Sequence, residues 1–97
     1  AGDITFYDTG LGACGITSVD SDKVVALPWQ FMGEQSNGNP YCGRTISITC
    51  DTTGKSTTAV VVDKCMGCGG FSIDLSPGAF DELDSESVGR TTATWYF

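Results

Sequence analysis

Residues 45–63 constrain the fold more than any other part of the chain. Thr45-Ile46-Ser47-Ile48-Thr49-Cys50 alternates polar and apolar side chains, which sets Ile46, Ile48 and Cys50 on one face of an extended strand. Asp51-Thr52-Thr53-Gly54-Lys55 has the composition of a turn. Thr57 to Asp63 then returns as a second strand. Its unbroken apolar run, Ala59-Val60-Val61-Val62, is what a strand covered on both faces carries. The two segments are predicted to form a hairpin, and the second of them to lie inside a sheet.

The rest of the chain agrees with an all-β domain. Ile4 to Tyr7 is short and rich in β-formers. Val24 to Leu27 is a brief apolar run closed by Pro28, and Thr92 to Phe97 alternates, with Ala93, Trp95 and Phe97 on one face. One helix is signalled near Pro77 to Leu83. Ser76 can cap it, Pro77 suits its first position, Asp81 and Glu82 follow early, and Phe80 and Leu83 share a face with Ala79. Gly89 breaks the chain again, and Gly33 to Pro40 reads as a polar loop. No linker, repeat or low-complexity tract is visible, and 97 residues fit one domain spanning 1–97. Many short strands with a short helix predict a small closed or nearly closed barrel.

Charge and composition remove several classes of function. The net charge is −7 with five basic residues, which disfavours nucleic acid and anionic membrane surfaces, since both need clustered Lys and Arg. No apolar run is long enough to span a bilayer. Neutral substrates or a basic partner fit the charge. There is no histidine, so the commonest general base and every His-ligated metal site are excluded. Five cysteines in so short a chain point to an oxidising compartment, hence to a secreted protein. Cys65 and Cys68 have a zinc-like CxxC spacing, but no second CxxC exists, so disulfides are favoured over a metal site. No leader pattern is visible, so the sequence reads as a mature chain or one never exported. No cofactor is expected, and the protein is expected to act as a monomer.

Four segments together resemble a known superfamily: GDITFYDTGLGACG (2–15), NPYCGRTISI (39–48), VVVDKCMGC (60–68) and SIDLSPGAFDEL (72–83), with GRTTATWYF (89–97) adding to them. The chain is similar to the double-psi β-barrel superfamily, which includes expansin first domains, loosenins, rare lipoprotein A-like proteins and barwin relatives. The similarity spans nearly the whole chain in order. It is strongest to short loosenin-type proteins, through GLGACG, DKCxGC and DLSPxAF. Papain-inhibitor-type proteins of the same fold carry a similar set of residues. The resemblance implies a six-stranded double-psi β-barrel with one or two short helices.

On spacing alone, Asp63 at the end of an apolar strand and Asp74 before the cap Ser76 favour structural roles. Asp74 would bond nearby backbone amides, and Asp63 would pair with Lys64 or cap a turn. The resemblance implies more. In expansins the matching aspartates line a polysaccharide groove, and Thr5 and Tyr7 match groove residues of the first strand. Asp8 matches the aspartate that completes an acid–base pair in hydrolytic relatives, while also reading as a solvated turn carboxylate. Lytic enzymes of the rare lipoprotein A type use a histidine that this chain lacks. Tyr7 and Trp29 are the best candidates to stack on sugar rings, whereas Phe6 and the Ala93/Trp95/Phe97 face suit the core. The flat aromatic second domain of expansins is absent from the sequence.

By resemblance again, Cys14 pairs with Cys42, and Cys65–Cys68 would close a small loop beside Asp63. Expansins have a partner for the cysteine at position 50 within a few residues, and this chain lacks it. Sharing a face with Ile46 and Ile48, Cys50 reads as a buried free thiol acting as a small apolar group. Three functions are then in view. The first is binding and loosening of wall polysaccharide (cellulose, chitin or a related glucan) without hydrolysis. The second is inhibition of papain-like cysteine proteases, with 28–41 as an inserting loop. The third is weak glycoside hydrolysis through Asp8 and Asp74, with Asp63 a further carboxylate at the groove.

Overall fold

A computed structural model describes residues 2–7, 9–10, 12, 14–15, 17–19, 22–29, 41–85 and 88–97. In chain order its elements are β1 (Gly2–Phe6), β2 (Val24–Pro28), β3 (Thr45–Cys50), β4 (Ser56–Cys65), β5 (Ile73–Leu75), α1 (Pro77–Asp81) and β6 (Arg90–Tyr96). The expected hairpin is present. β3 and β4 pair antiparallel from Thr45↔Val60 to Thr49↔Ser56, around a turn closed by Gly54 N–H to Cys50 C=O at 2.9 Å. Gly54 takes φ +73°, a backbone state that any Cβ would strain.

The strands close into a six-stranded barrel in the order β1-β5-β2-β4-β3-β6. β1 and β5 are parallel, as are β2 and β4; the other pairs are antiparallel. Parallel neighbours cannot be joined by a tight turn, so the chain crosses the barrel to make each of these pairs. This is the double-psi β-barrel, with one short helix among the described residues. Alternate residues fill the interior. Ile46, Ile48 and Cys50 of β3, Val25 and Leu27 of β2, and Ile73 and Leu75 of β5 are all fully or almost fully buried. Each such Ile or Leu contributes about 1.5–3 kcal/mol relative to exposure.

One irregularity determines where the side chains of β4 point. Val25 on β2 pairs with Val61, but the next residue, Ala26, pairs with Asp63. Val62 is therefore the extra residue of a β-bulge, which reverses the alternation of the strand. Ala59 and Val61 point into the core, and without the bulge Asp63 would follow them inward. With it, Asp63 is turned outward and half-buried, while Val62 is covered as well. β4 thus runs past Asp63 to Cys65, further than the apolar run suggests, and Val60 is only half-buried. Gly12 lies against this bulge: a Cβ there would collide with the Val62 carbonyl and crowd the Asp63 side chain.

The helix is shorter than expected, ending at Asp81 with Glu82 as its C-cap. Its start follows the sequence. Pro77 occupies the first turn, and the Ser76 hydroxyl accepts from Ala79 N–H at 3.3 Å. The same hydroxyl accepts from Val24 N–H at 3.1 Å and donates to the Asp22 carbonyl. One buried serine therefore ties the helix to the entry of β2. Ala79, Phe80 and Leu83 are fully buried, and Phe80 packs against Phe6 with ring centroids 5.0 Å apart.

β6 alternates as expected through Ala93 and Trp95, but Phe97 leaves the pattern. It lies beyond the strand, is 43% exposed, and stacks near Tyr41 and beneath the Arg44 guanidinium at 4.3 Å. With no strand to continue the pairing, nothing holds its side chain inward. Cys14–Cys42 and Cys65–Cys68 are disulfide-bonded and Cys50 is a buried free thiol, 3.3 Å from the Thr52 hydroxyl.

Closing the 28-residue separation between Cys14 and Cys42 stabilises the fold by about 3.6 kcal/mol in the chain-entropy treatment. Replacing both by serine should therefore lower the urea-unfolding free energy by roughly 2–4 kcal/mol. Thiol titration of the unaltered protein should find one thiol, and that one only after denaturation. Two or more reactive thiols in the native state would contradict the pairing.

Candidate functional site

The pairing registers bring five positions from five adjacent strands into one row on the outside of the barrel. Arg90 on β6 pairs with Thr5 on β1, Thr5 with Asp74 on β5, Asp74 with Ala26 on β2, and Ala26 with Asp63 on β4. These residues are far apart in sequence; only the barrel gathers them. Ala26 separates the two aspartates, and its methyl group leaves a gap between them. Neighbouring strands are about 4.8 Å apart, so the aspartate backbones are roughly 10 Å apart.

That row floors an open cavity of about 380 Å³. Thr5, Asp74, Ala26 and Asp63 form its base, with Tyr7 and the Cys65–Cys68 disulfide as walls and Lys64, Met66, Gly67 and Arg90 at its margin. Tyr7 follows β1 and is held by its N–H to the Leu75 carbonyl at 3.0 Å. Its ring and the disulfide together cover Ala26. Tyr7 and Thr5, both anticipated as groove residues, thus stand beside Asp63 and Asp74.

Each carboxylate is held differently. The Thr5 hydroxyl donates to Asp74 Oδ1, and Asp74 Oδ2 lies 3.5 Å from Cys65 Sγ. A disulfide sulfur has no proton to give, so a hydrogen bond there requires the carboxyl's own proton. Burial pushes the Asp74 carboxyl above the ordinary aspartate range; Arg90 opposes this and the Asp63 charge adds to it. Asp63 Oδ1 accepts from the Lys64 backbone N–H at 2.8 Å. Tyr7 is pushed up to about 12 by burial and then by the charges of Asp63 and Asp74. The phenol is therefore a neutral donor and acceptor across the whole physiological range.

A second cavity of about 250 Å³ adjoins the first. Thr5, Gly67, Cys68 and Arg90 line both, so the two lie side by side along the same part of the surface. Asp3, Gly69, Ser72 and Ile73 complete the second part. Arg90 bonds Asp3 at 2.8 Å between two exposed side chains, an interaction worth little in water. Cys65, Cys68 and Asp74 place three ligand-type atoms within 4.8 Å of one another. Two of the three are joined as a disulfide, and in that state they offer no thiolate to a metal.

Some expectations fall elsewhere. Trp29 is 42% exposed but lines neither cavity; β2 ends at Pro28, beyond the row that floors the groove. Asp8 and most of the 28–41 segment lie outside the described residues. Arg90, Ala26 and Ser72 are groove residues that the sequence reading missed. Nothing local marks them: Arg90 reaches the site only through pairing with a residue 85 positions away, since 90 faces 5 across β6 and β1.

Comparison with known proteins agrees with this architecture. The Barwin family model matches residues 8–95. Allergen Asp f 7 homolog of Arthroderma benhamiae is 50% identical over 96% of this chain and 32% of its own length. The chain spans about a third of the length of the curated relatives it matches. Among solved structures, the Streptomyces papain inhibitor superposes with a TM-score of 0.83 at 35% identity, covering 97% of this chain and 88% of the inhibitor. A Clavibacter michiganensis expansin mutant, solved in complex with cellohexaose, has a TM-score of 0.82 at 24% identity, covering 98% of this chain and 48% of the expansin. At that identity the likeness is one of fold. Barrel topology, disulfide framework and the family match over nearly the full length lead to one assignment: the chain belongs to the Barwin family.

Proposed function

We propose that this chain is a secreted module that binds wall polysaccharide, such as cellulose, chitin or a related glucan, and loosens it without hydrolysis. The row Thr5–Asp74–Ala26–Asp63 flooring an open groove carries the reading. A sugar ring lying against Tyr7 would present its apolar C–H face to the phenol and its hydroxyls to the carboxylates. Charged acceptors contribute about 1.5–3 kcal/mol per hydrogen bond where water is partly excluded. Hydroxyls engaged in this way are withdrawn from the bonds that hold glycan chains to one another. No covalent bond changes in such a step; binding free energy drives it. An expansin that shares this fold was solved in complex with cellohexaose, which supports a glycan as the class of ligand.

A second reading has its own observation. The Streptomyces papain inhibitor is 35% identical to this chain along nearly its full length. Inhibition of a papain-like cysteine protease would use a loop entering the enzyme's cleft, and the 28–41 segment is the candidate. Glycoside hydrolysis is the third: a carboxyl that burial pushes above the ordinary aspartate range, as at Asp74, is shifted in the direction a general acid needs, and Asp8 is the candidate partner.

One panel separates the three: papain inhibition, pull-down and loosening of cellulose and chitin, and release of reducing ends from soluble glucans. Wild type should bind and loosen while releasing no reducing sugar above background. Asp74→Asn should weaken binding roughly tenfold or more and abolish loosening without lowering the melting temperature. Steady release of reducing ends that both Asp8→Asn and Asp74→Asn stop would make the protein a glycosidase. Papain inhibition that Asp74→Asn leaves untouched, with no binding to polysaccharide, would make it an inhibitor.

The site also sets a pH dependence. Tyr7 has its folded value raised from 10.0 to about 12, so its contribution to stability is complete below pH 10 and lost as pH rises through about 12. Asp74, also raised, has its contribution complete below its unfolded value and lost as pH rises through the folded one. Tyr7→Phe should therefore lose less stability than wild type between pH 10 and 12 in paired thermal melts. Asp74→Asn should compare most favourably with wild type near neutral pH, and that advantage should shrink as the solution is acidified. Parallel pH profiles for wild type and either variant would contradict the environment assigned to that residue.

A further inference from the structure

Phe71 is a large apolar side chain that the fold leaves 53% exposed while holding its backbone on two sides. Trp95 Nε1 donates to the Phe71 carbonyl at 2.7 Å. The same carbonyl occupies the space where Gly2 would carry a Cβ, so the loop is seated directly on β1. The Phe71 ring meets Trp95 edge-on at 5.9 Å. Just before it, Gly70 turns the chain at φ +58°, a conformation that residues with a side chain rarely adopt. Gly69 and Ser72, on either side of the pair Gly70-Phe71, both line the second cavity of the groove. An exposed aromatic on clamped backbone is pre-organised: little conformational freedom remains to be lost when a flat ligand face covers it.

The geometry points to Phe71 as a second aromatic subsite of the groove, at the end opposite Tyr7, which takes a sugar ring of a linear β-linked glycan long enough to pass through both cavities. This rests on the groove being a glycan site. Tyr7 stands in the first cavity; Thr5 and Arg90 line the shared part; Ser72 leads out of the second beside Phe71. A short oligomer fills the first cavity and never reaches Phe71. A longer one gains an additional ring-face contact there, with Arg90 donating to hydroxyls on the way.

Length dependence is the test. Titrate wild type, Phe71→Ala, Phe71→Trp and Asp74→Asn with cellotriose and cellohexaose, and with the corresponding chitin oligomers. Phe71→Ala should weaken hexamer binding roughly tenfold, equivalent to about 1.4 kcal/mol, and leave trimer binding unchanged. Phe71→Trp should retain hexamer affinity. The Trp95 hydrogen bond goes to backbone, so it survives both Phe71 substitutions, and near-ultraviolet circular dichroism should confirm that the fold is kept. Equal loss for trimer and hexamer, or no loss for either, overturns the Phe71 subsite. If wild type binds and Asp74→Asn does not, while Phe71→Ala matches wild type, the subsite alone falls. If wild type binds no oligomer of either series, the glycan reading of the groove falls, and the subsite with it.

Discussion

The site depends on one extra residue in one strand. β4 is an interior strand, flanked by β2 and β3, and strict alternation would send Asp63 inward behind Ala59 and Val61. An ionised carboxylate in that interior would cost several kcal/mol even after relaxation. The bulge at Val62 resolves the conflict by spending one residue to change parity. Val61 remains in the core, Val62 is covered near Gly12, and Asp63 reaches the groove. The absence of a side chain at Gly12 is part of the same arrangement, because the bulged backbone stands where its Cβ would be.

Asp74 is positioned by the opposite means, without irregularity. It lies between Ile73 and Leu75, both buried, so it faces outward by simple alternation. Two residues further on, the Ser76 hydroxyl bonds α1, β2 and the Asp22 carbonyl at once. The outward carboxylate is thereby mounted on a segment anchored within the core. The Cys65–Cys68 disulfide closes the other wall and keeps the loop 65–68 against Asp74 and Ala26.

How much of this was legible in the chain follows from which signals are local. The 45–63 hairpin, the Ser76 cap with Pro77, and the burial of Cys50 beside Ile46 and Ile48 each depend on neighbours in sequence, and each could be read. Asp63, Asp74, Thr5 and Tyr7 were marked by resemblance, since spacing alone favoured plain local bonding for both aspartates. Asp63 does bond locally, to the backbone N–H of Lys64, whereas Asp74 accepts from the hydroxyl of Thr5, 69 positions away. The bulge left no trace in a run of three valines, where any register is equally apolar. Arg90 and Ala26 became groove residues only through pairing across the barrel, and Phe97 left its expected face because strand pairing stops at Tyr96.

Closure of the sheet has a consequence for recognition. β6 pairs with β1, so the ladder of backbone hydrogen bonds returns to its starting strand. A sheet without an outermost strand has no row of unpaired N–H and C=O groups for a second polypeptide to dock on. Strand addition, a common way for one protein to seize an extended peptide, is thereby unavailable along the described strands. Along these strands, any partner has to be met by side chains rather than by strand backbone. The same closure removes the template on which copies of a β-rich chain would stack into fibrils.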